Sequence, residues 1–318
     1  MTRAYRCDMQ RARERIAAVA TKKVESRFGT IEYAEQGMGV PLLVIHGVLG
    51  CHVDGVDGRV STLSGPGFRV IAPSRFGYFG STLPEGAAPA DQADAYAVLL
   101  HRLGIDRTVV IGFSAGSASA LEFAARHRER VLGLILANAR LGGGITSSRL
   151  LRPIFRFAYS ADLPFWIFKK LTPAAYARMM GAPKGYLPTP AEARTLDGIR
   201  DLLFPLKPRR DGAVFDGFIS NPVADRFPLE ELAVPTLVIT ALDDPLAPHS
   251  FAVEAAERIP AARLVTIEGG GHLFLGHEIQ VRDEITAFTE FVLSARASTP
   301  TASRGCVGPL LHRQQASA

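Results

Sequence analysis

Short and almost wholly apolar segments recur along the chain, and helical patterns separate them. Each segment is four to seven residues long, and most end beside a glycine, a proline or a polar residue. They are 41–45, 68–72, 108–111, 131–137, 234–240 and 263–267. Continuous apolar strands are typical of a parallel sheet that is buried on both faces by helices. The pattern therefore predicts an α/β fold with a mostly parallel central sheet, and 47% hydrophobic residues suffice for its core.

The alternation of strands and helices lapses between residues 141 and 225. This stretch is rich in aromatic residues, prolines and methionines. A segment of this length inside a compact domain requires structure of its own, so we predict a helical cap at 141–225. The core then comprises 28–140 and 226–296, and the Ser-, Thr- and Pro-containing tail at 297–318 is predicted to be disordered.

Residues 1–27 are predicted to form a basic helical arm. The first 28 residues contain eight basic and three acidic residues, a difference equal to the net charge of +5 of the whole chain. The charges of the remaining chain are therefore balanced, so the basic net charge is no indication of a nucleic-acid-binding face on the globular body, and we expect no nucleic-acid partner. Apolar residues recur at helical spacing in the arm (Tyr5, Met9, Ala12, Ile16 and Val19). Two interpretations remain: a helix docked on the body, which we prefer, and a helix lying on anionic lipid.

The chain offers no sign of export or of a metal site. Its three cysteines have neither disulfide nor metal spacing, and the N-terminus has no apolar signal region. We expect a cytoplasmic protein without metal or cofactor.

The sequence Gly112-Phe113-Ser114-Ala115-Gly116 matches the pattern G-x-S-x-G. An apolar strand precedes it and a helical segment follows it. Such a tight strand-to-helix turn exposes the serine hydroxyl in a strained conformation. Ser114 is therefore the predicted nucleophile.

A serine nucleophile requires a base that is oriented by an acid. Asp243 and Asp244 follow the strand that ends at Thr240, and His272 follows the strand that ends at Ile267. The order serine, acid, histidine is that of α/β-hydrolases. His277 is a weaker rival of His272.

The segment His46-Gly47-Val48-Leu49-Gly50 follows another apolar strand. Its backbone is suited to stabilise a negatively charged oxygen, and the N–H groups of Val48 and Ala115 are the predicted donors of an oxyanion hole. His46 is interpreted as a supporting hydrogen-bonding residue.

Together these motifs resemble those of α/β-hydrolase fold enzymes of the esterase and lyase type that carry an inserted cap. The similarity covers residues 28–296 and includes an Asp-x-x-x-Pro segment at 244–248, which implies that Asp244 is the acid. The segment at 72–81 resembles the family's loop after strand 4. It departs from the family at Ser74, where aspartate is usual, and at Phe79, where glycine is usual.

A serine at position 114 does not fit the haloalkane dehalogenases and epoxide hydrolases of this fold, which are expected to use aspartate. We expect a serine esterase acting on a small to medium, largely apolar substrate. The residues predicted to contact it are Leu49, Phe113, Trp166, Leu246 and Leu273. Arg75 is interpreted as a salt-bridge partner within its loop or as a carboxylate-binding residue.

Two alternatives stay open. The first is a carbon–carbon bond hydrolase of meta-cleavage products, which would need polar cap groups to hold a dienoate. The second is a catalytically idle ligand-binding module on the same fold.

Overall fold

The computed structural model describes residues 3–139 and 149–297. Within these ranges the strands are β1 (Lys22–Ser26), β2 (Gly29–Gln36), β3 (Val40–Ile45), β4 (Phe68–Pro73), β5 (Thr108–Phe113), β6 (Val131–Ala137), β7 (Thr236–Ala241) and β8 (Ala262–Ile267). The helices of the first half are α1 (Arg3–Ala17), α2 (Val53–Val56), α3 (Arg59–Ser64), α4 (Pro89–Arg102) and α5 (Ser117–Arg126). Those of the second half are α6 (Arg152–Ala158), α7 (Asp162–Leu171), α8 (Pro173–Met179), α9 (Pro190–Leu202), α10 (Arg210–Phe215), α11 (Asn221–Ala224), α12 (His249–Arg258) and α13 (Glu278–Ala297).

The strands of the described residues form one sheet in the order β1-β2-β4-β3-β5-β6-β7-β8. β1 and β2 are antiparallel at one edge, and the strands from β4 to β8 are parallel. The predicted mostly parallel α/β fold is therefore confirmed. Ile45 pairs with Gly112, and Phe113 pairs with Ala137. The loops that follow these strands consequently meet at one edge of the sheet.

Helices cover both faces of this sheet because alternate residues of each buried strand point to opposite sides. Leu43 and Ile45 pack in a cluster with the apolar residues of α4, α5 and α12. Leu42 and Val44 pack in a second cluster with those of α3 and α13. Two apolar layers thus hold the parallel strands between them.

The N-terminal arm ends earlier than the sequence analysis placed it. Residues 22–26, assigned to the arm, form β1 and pair with residues 29–33. Val24 is the one apolar residue of the segment Lys-Lys-Val-Glu-Ser, so no apolar run marked this edge strand. The helix itself, α1, buries Tyr5, Met9 and Ala12 against the body.

The structure also places only part of the predicted insertion at 141–225 in the cap. Its described residues 149–206, here called the cap, include α6 and α7, which have no buried residues. Residues 210–224 instead belong to the core: Phe215 packs in the cluster of α4 and α5, and Asp216 is fully buried. Aromatic residues and prolines occur on both sides of this boundary, so composition did not reveal it.

Residues 140–148 lie outside the described residues, as does the predicted disordered tail at 297–318 except for Ala297, which ends α13. Among the helices that the structure describes, none is both long and apolar enough to cross a bilayer.

Candidate active site

Ser114 lies in the turn between β5 and α5 with a left-handed backbone, φ 52°. Its glycine neighbours are required by space. A Cβ at Gly116 would lie 2.4 Å from the carbonyl oxygen of Ile45, and one at Gly112 would lie 2.7 Å from the Cβ of Ala120. Positive φ is unusual for a residue with a side chain and is a form of strain found at functional sites. The spacing Gly-x-Ser-x-Gly therefore has a direct steric cause here.

Asp244 and His272 face each other across the loops that follow β7 and β8. The Nδ1 of His272 lies 2.7 Å from Oδ2 of Asp244. The other oxygen, Oδ1, accepts hydrogen bonds from the backbone N–H groups of Leu246 and Ala247, at 2.8 and 3.0 Å. These bonds orient the carboxylate toward the imidazole.

The neighbouring Asp243 has a different partner. Its Oδ1 accepts a hydrogen bond from the backbone N–H of Gly271, at 2.9 Å. Asp243 therefore supports the loop that carries His272, while Asp244 contacts the ring. The rival histidine, His277, has its Nδ1 3.3 Å from Gln280 and does not line the cavity described below.

Asn138, at the end of β6, was missed by the sequence analysis. Its side-chain N–H donates to the carbonyl oxygens of Gly271 and His272, and its Oδ1 accepts from the N–H of Ala241. The side chain ties the loop after β8 to the end of β7. The sequence feature that could have indicated this role is a single asparagine directly after a buried strand.

Ser114 and His272 line the same cavity, which has a volume of about 210 Å³. Among the described residues, the Ser114 hydroxyl makes no hydrogen bond, that to His272 included. Of the core residues predicted at this site, the lining contains Val48, Leu49, Phe113, Leu246 and Leu273. Ala115, the second predicted oxyanion donor, is buried in the turn after Ser114 and is not part of the lining. The cap adds Tyr159, Phe165, Met179, Met180, Ile199, Leu202 and Leu203.

Trp166 requires a correction, since it does not line this cavity. Its indole N–H donates to Oδ2 of Asp8 in α1, at 2.9 Å, and its ring packs edge-on against Tyr5. Trp166 and Phe165 are adjacent on α7, and helical geometry turns adjacent side chains to different sides. The side chain that reaches the cavity is that of Phe165.

The loop after β3 closely approaches the nucleophile. A Cβ at Gly47 would lie 3.2 Å from the Cβ of Ser114. The buried His46 supports this loop: its Nδ1 lies 2.8 Å from the carbonyl of Gly47, and its Nε2 accepts from the N–H of Arg75. Both bonds fit a neutral imidazole with the proton on Nδ1. Burial lowers the pKa of His46 well below its ordinary value, and the Arg75 charge adds to this.

Two buried arginines donate hydrogen bonds to backbone carbonyl oxygens of the same loop. Arg75 donates through Nη2 to the carbonyl of Gly47 and pairs with both oxygens of Asp216, which also accepts from the hydroxyl of Tyr78. Burial lowers the pKa of Arg75, but the Asp216 carboxylate, together with Tyr78 and Tyr96, acts in the opposite direction, and the net effect raises that pKa. Arg209 donates to the carbonyls of Leu49 and Gly50. The partner of Arg75 therefore lies outside its own loop.

The departures at Ser74 and Phe79 are compensated by residues that are close in space but distant in the sequence. Glu32 of β2 supplies the carboxylate that position 74 lacks, since it accepts from the Ser74 hydroxyl and the Gly80 N–H. Phe79 adopts a left-handed backbone, φ 47°, as a glycine could. The Arg209 guanidinium lies 4.6 Å above its ring.

The cap touches the imidazole loop directly. The backbone N–H of His272 donates to the carbonyl of Gly181, at 2.9 Å. A Cβ at Gly181 would lie 2.1 Å from the Cβ of His272. Only glycine permits this approach.

No group of three or more histidine, cysteine or acidic side chains suited to a metal ion occurs within 3–139 and 149–297.

A family model described as alpha/beta hydrolase fold matches residues 40–277. The uncharacterized hydrolase YcgS of Bacillus subtilis (strain 168) is 28% identical over 79% of this chain and 91% of its own length. The 2-hydroxymuconate semialdehyde hydrolase of Pseudomonas putida is 29% identical over 75% of this chain and 82% of its own. Among solved structures, a thermophilic esterase from Thermogutta terrifontis is similar in fold, with a TM-score of 0.63, 24% identity and coverage of 86% of this chain and 98% of that one.

Proposed function

Because this chain belongs to the α/β hydrolase fold family, we propose that it is a serine hydrolase that cleaves a carboxylic ester through an acyl-enzyme. One observation carries the proposal. A histidine paired with a carboxylate at 2.7 Å lines the same cavity as a serine held in a strained, positive-φ turn. This arrangement suits an activated oxygen nucleophile.

In the proposed reaction, Ser114 Oγ attacks the ester carbonyl carbon while Nε2 of His272 accepts its proton. Asp244 holds the Nδ1 proton and favours the imidazolium that forms. The backbone N–H groups of Val48 and Ala115 stabilise the oxyanion.

The first tetrahedral intermediate then collapses. His272 gives its proton to the departing alcohol, and the acyl group remains on Ser114. A water molecule, deprotonated by His272, attacks the acyl carbon. His272 then returns this proton to Ser114 Oγ as the bond between that oxygen and the acyl carbon breaks, which releases the carboxylic acid and restores the Ser114 hydroxyl.

The cavity supports a small to medium acyl or alcohol group. Its volume of about 210 Å³ is below the roughly 300–1,000 Å³ typical of sites for drug-sized ligands. Its cap side is formed by aliphatic, aromatic and methionine side chains, which favours burial of an apolar group of the substrate.

The carbon–carbon bond hydrolase is the second candidate, favoured by the similarity to the 2-hydroxymuconate semialdehyde hydrolase. It would need polar cap groups to hold a dienoate. Among the described cap residues of the lining, Tyr159 alone carries a polar side chain. The core side of the lining also contains Arg59, so the cavity as a whole does not exclude a dienoate. The ester is our first choice because the cap side is almost wholly apolar, and loss of the conjugated chromophore of 2-hydroxymuconate semialdehyde is the direct test of the second.

Labelling with a fluorophosphonate probe, together with a chain-length series of p-nitrophenyl esters, tests the proposal. Ser114→Ala should abolish labelling and reduce ester turnover by about 10⁴-fold or more, because the attacking oxygen is removed. Ser250→Ala, at an exposed position of α12, is the matched control and should retain both. Absence of labelling in the natural protein would instead favour the idle binding module.

A further inference from the structure

Arg59 is a buried cation in the cavity that also contains Ser114 and His272. It is the first residue of α3, on the core side, and is only 3% exposed. Arginine is almost never buried to this extent without partners for its charge. Its hydrogen bonds are therefore informative.

Part of the Arg59 guanidinium has no partner among the described residues. Nη1 donates to Oε1 of Glu278 at 2.9 Å and, at 3.4 Å, to the hydroxyl of Thr62. Nε and Nη2 are buried and have no acceptor among residues 3–139 and 149–297. Buried donors without acceptors are rare in native proteins and call for an explanation.

Arg209 provides a comparison within the same molecule. It is as deeply buried as Arg59, but its Nε, Nη1 and Nη2 all donate to backbone carbonyl oxygens. Arg209 is thus saturated by the protein and acts as a structural support. Within the part of the chain that the structure describes, Arg59 retains one edge of its guanidinium plane, Nε with Nη2, without an acceptor.

The charges around Arg59 do not compensate its burial. Burial lowers the pKa of Arg59, although the Glu278 carboxylate acts in the opposite direction. Asp54 also lines the cavity, but its Oδ2 accepts from the N–H of Cys51, and its charge interacts with Arg209, His52 and Arg15. The balance of charges around Arg59 therefore favours an additional anion beside it.

We propose that Arg59 binds a carboxylate at the far end of the substrate, so that the preferred esters are monoesters of dicarboxylic acids with an apolar spacer. This inference rests on the proposed ester hydrolysis. A guanidinium edge matches the two oxygens of a carboxylate, and such charge-assisted pairs are strong in a desolvated site. Leu202, Leu203 and Ile199 provide the apolar wall for the spacer.

Both nitrogens are covered in the free protein, so the carboxylate reaches them after a rotamer change of neighbouring side chains. Such changes are common when a ligand binds. The charged end and the ester would then be recognised by different regions: Arg59 holds the carboxylate, and Ser114 attacks the ester carbonyl.

The test compares pairs of p-nitrophenyl esters. Each pair contains an alkanoate and the hemiester of equal length in which a carboxylate replaces the terminal methyl, from adipate to suberate. The measured quantity is the ratio of kcat/KM for the charged and the neutral ester. Arg59→Met should lower this ratio by roughly 10- to 100-fold, the range for a hydrogen bond to a charged group. Arg59→Lys should lower the ratio less, since lysine keeps the positive charge but lacks the two parallel N–H donors of the guanidinium group.

Two further variants separate recognition from structure. Glu278→Gln should raise the ratio, because it removes the carboxylate that competes for Arg59. Arg263→Met, which breaks the partly exposed ion pair with Glu284, should leave the ratio unchanged. If Arg59→Met lowered both members of each pair equally, Arg59 would be structural and the inference would be wrong.

A binding measurement makes the result independent of turnover. Calorimetry on the Ser114→Ala variant should show that adipate binds more tightly than hexanoate, and Arg59→Met should remove that difference. Equal binding of the two acids would overturn the inference. Failure of every neutral ester to react would instead contradict the proposed hydrolysis, while the calorimetric result would still decide the role of Arg59.

Discussion

The sheet edge that carries Ser114, Asp244 and His272 differs from the cap above it in how its side chains are held. At the sheet edge, all three side chains are buried, and backbone N–H groups fix the carboxylate of Asp244. In the cap, α6 and α7 have no buried residue, and Leu150, Phe157 and Leu171 are more than three-quarters exposed. The comparison supports the proposal that the sheet edge carries the chemistry and that the cap determines the selectivity.

The two adjacent aspartates, Asp243 and Asp244, allow the arrangement at the sheet edge to be tested by single substitutions. Asp244→Asn should lower kcat by about 10⁴-fold, because the amide no longer supports the required imidazole tautomer. Asp243→Asn should cost much less, since its partner is a backbone N–H of Gly271. Steady-state kinetics on a p-nitrophenyl ester measures both. The reverse ranking would mean that the wrong aspartate was assigned to His272.

Substitution of two adjacent aromatic residues of α7 tests the role of the cap in selectivity. Phe165→Ala should shift the ester chain-length preference by up to about 100-fold in kcat/KM, since burial of one aromatic ring is worth up to about 3 kcal/mol. Trp166→Ala should leave the preference unchanged, because this ring contacts Tyr5 and Asp8 rather than the cavity. If both variants shifted the preference equally, the cap would act as a whole and the distinction between the two rings would fail.

The pH dependence of stability tests how firmly the loop after β3 is held. His46 is buried with a lowered pKa, so below its ordinary value of about 6.5 the unfolded chain binds a proton that the native state excludes. The free energy of unfolding should therefore fall as the pH drops below that value, by up to about 1.4 kcal/mol per pH unit.

Urea denaturation between pH 7.5 and 5.5 measures this effect. The variant His46→Gln should show a shallower decline than the natural protein. Parallel curves for the two proteins would show that His46 does not resist protonation.

The smallest expected effect concerns the attachment of α1 to the cap. Trp166→Phe keeps an aromatic ring but removes the N–H that donates to Asp8. It should lower the free energy of unfolding by about 1 kcal/mol, the usual value of one hydrogen bond. Asp8 keeps Lys170 and Arg11 as partners, which limits the loss. Urea denaturation measures it, with Tyr159→Phe, at another aromatic residue of the cap, as the comparison. A loss equal to that of Tyr159→Phe would assign no role to the indole N–H.

The sequence alone determined the parallel sheet and the positions of the three candidate catalytic residues. Each of these signals is local. An apolar run predicts a buried strand, and parallel strands bring the loops at their carboxyl ends to one edge. Ser114, Asp244 and His272 each follow such a strand, so their proximity needed no knowledge of the packing. The glycines at 112 and 116 were equally predictable, because the turn leaves no space for a Cβ.

The tertiary structure decided everything that depends on contacts between distant segments. The carboxylate that compensates Ser74 comes from Glu32, 42 residues away, and the partner of Arg75 is Asp216, 141 residues away. The direction of Phe165 and Trp166, the close approach of Gly181 to His272 and the unpaired edge of Arg59 are likewise products of packing. Residue type and spacing limit which pairs can form, but the free energy of burial and hydrogen bonding in the folded chain selects which ones do.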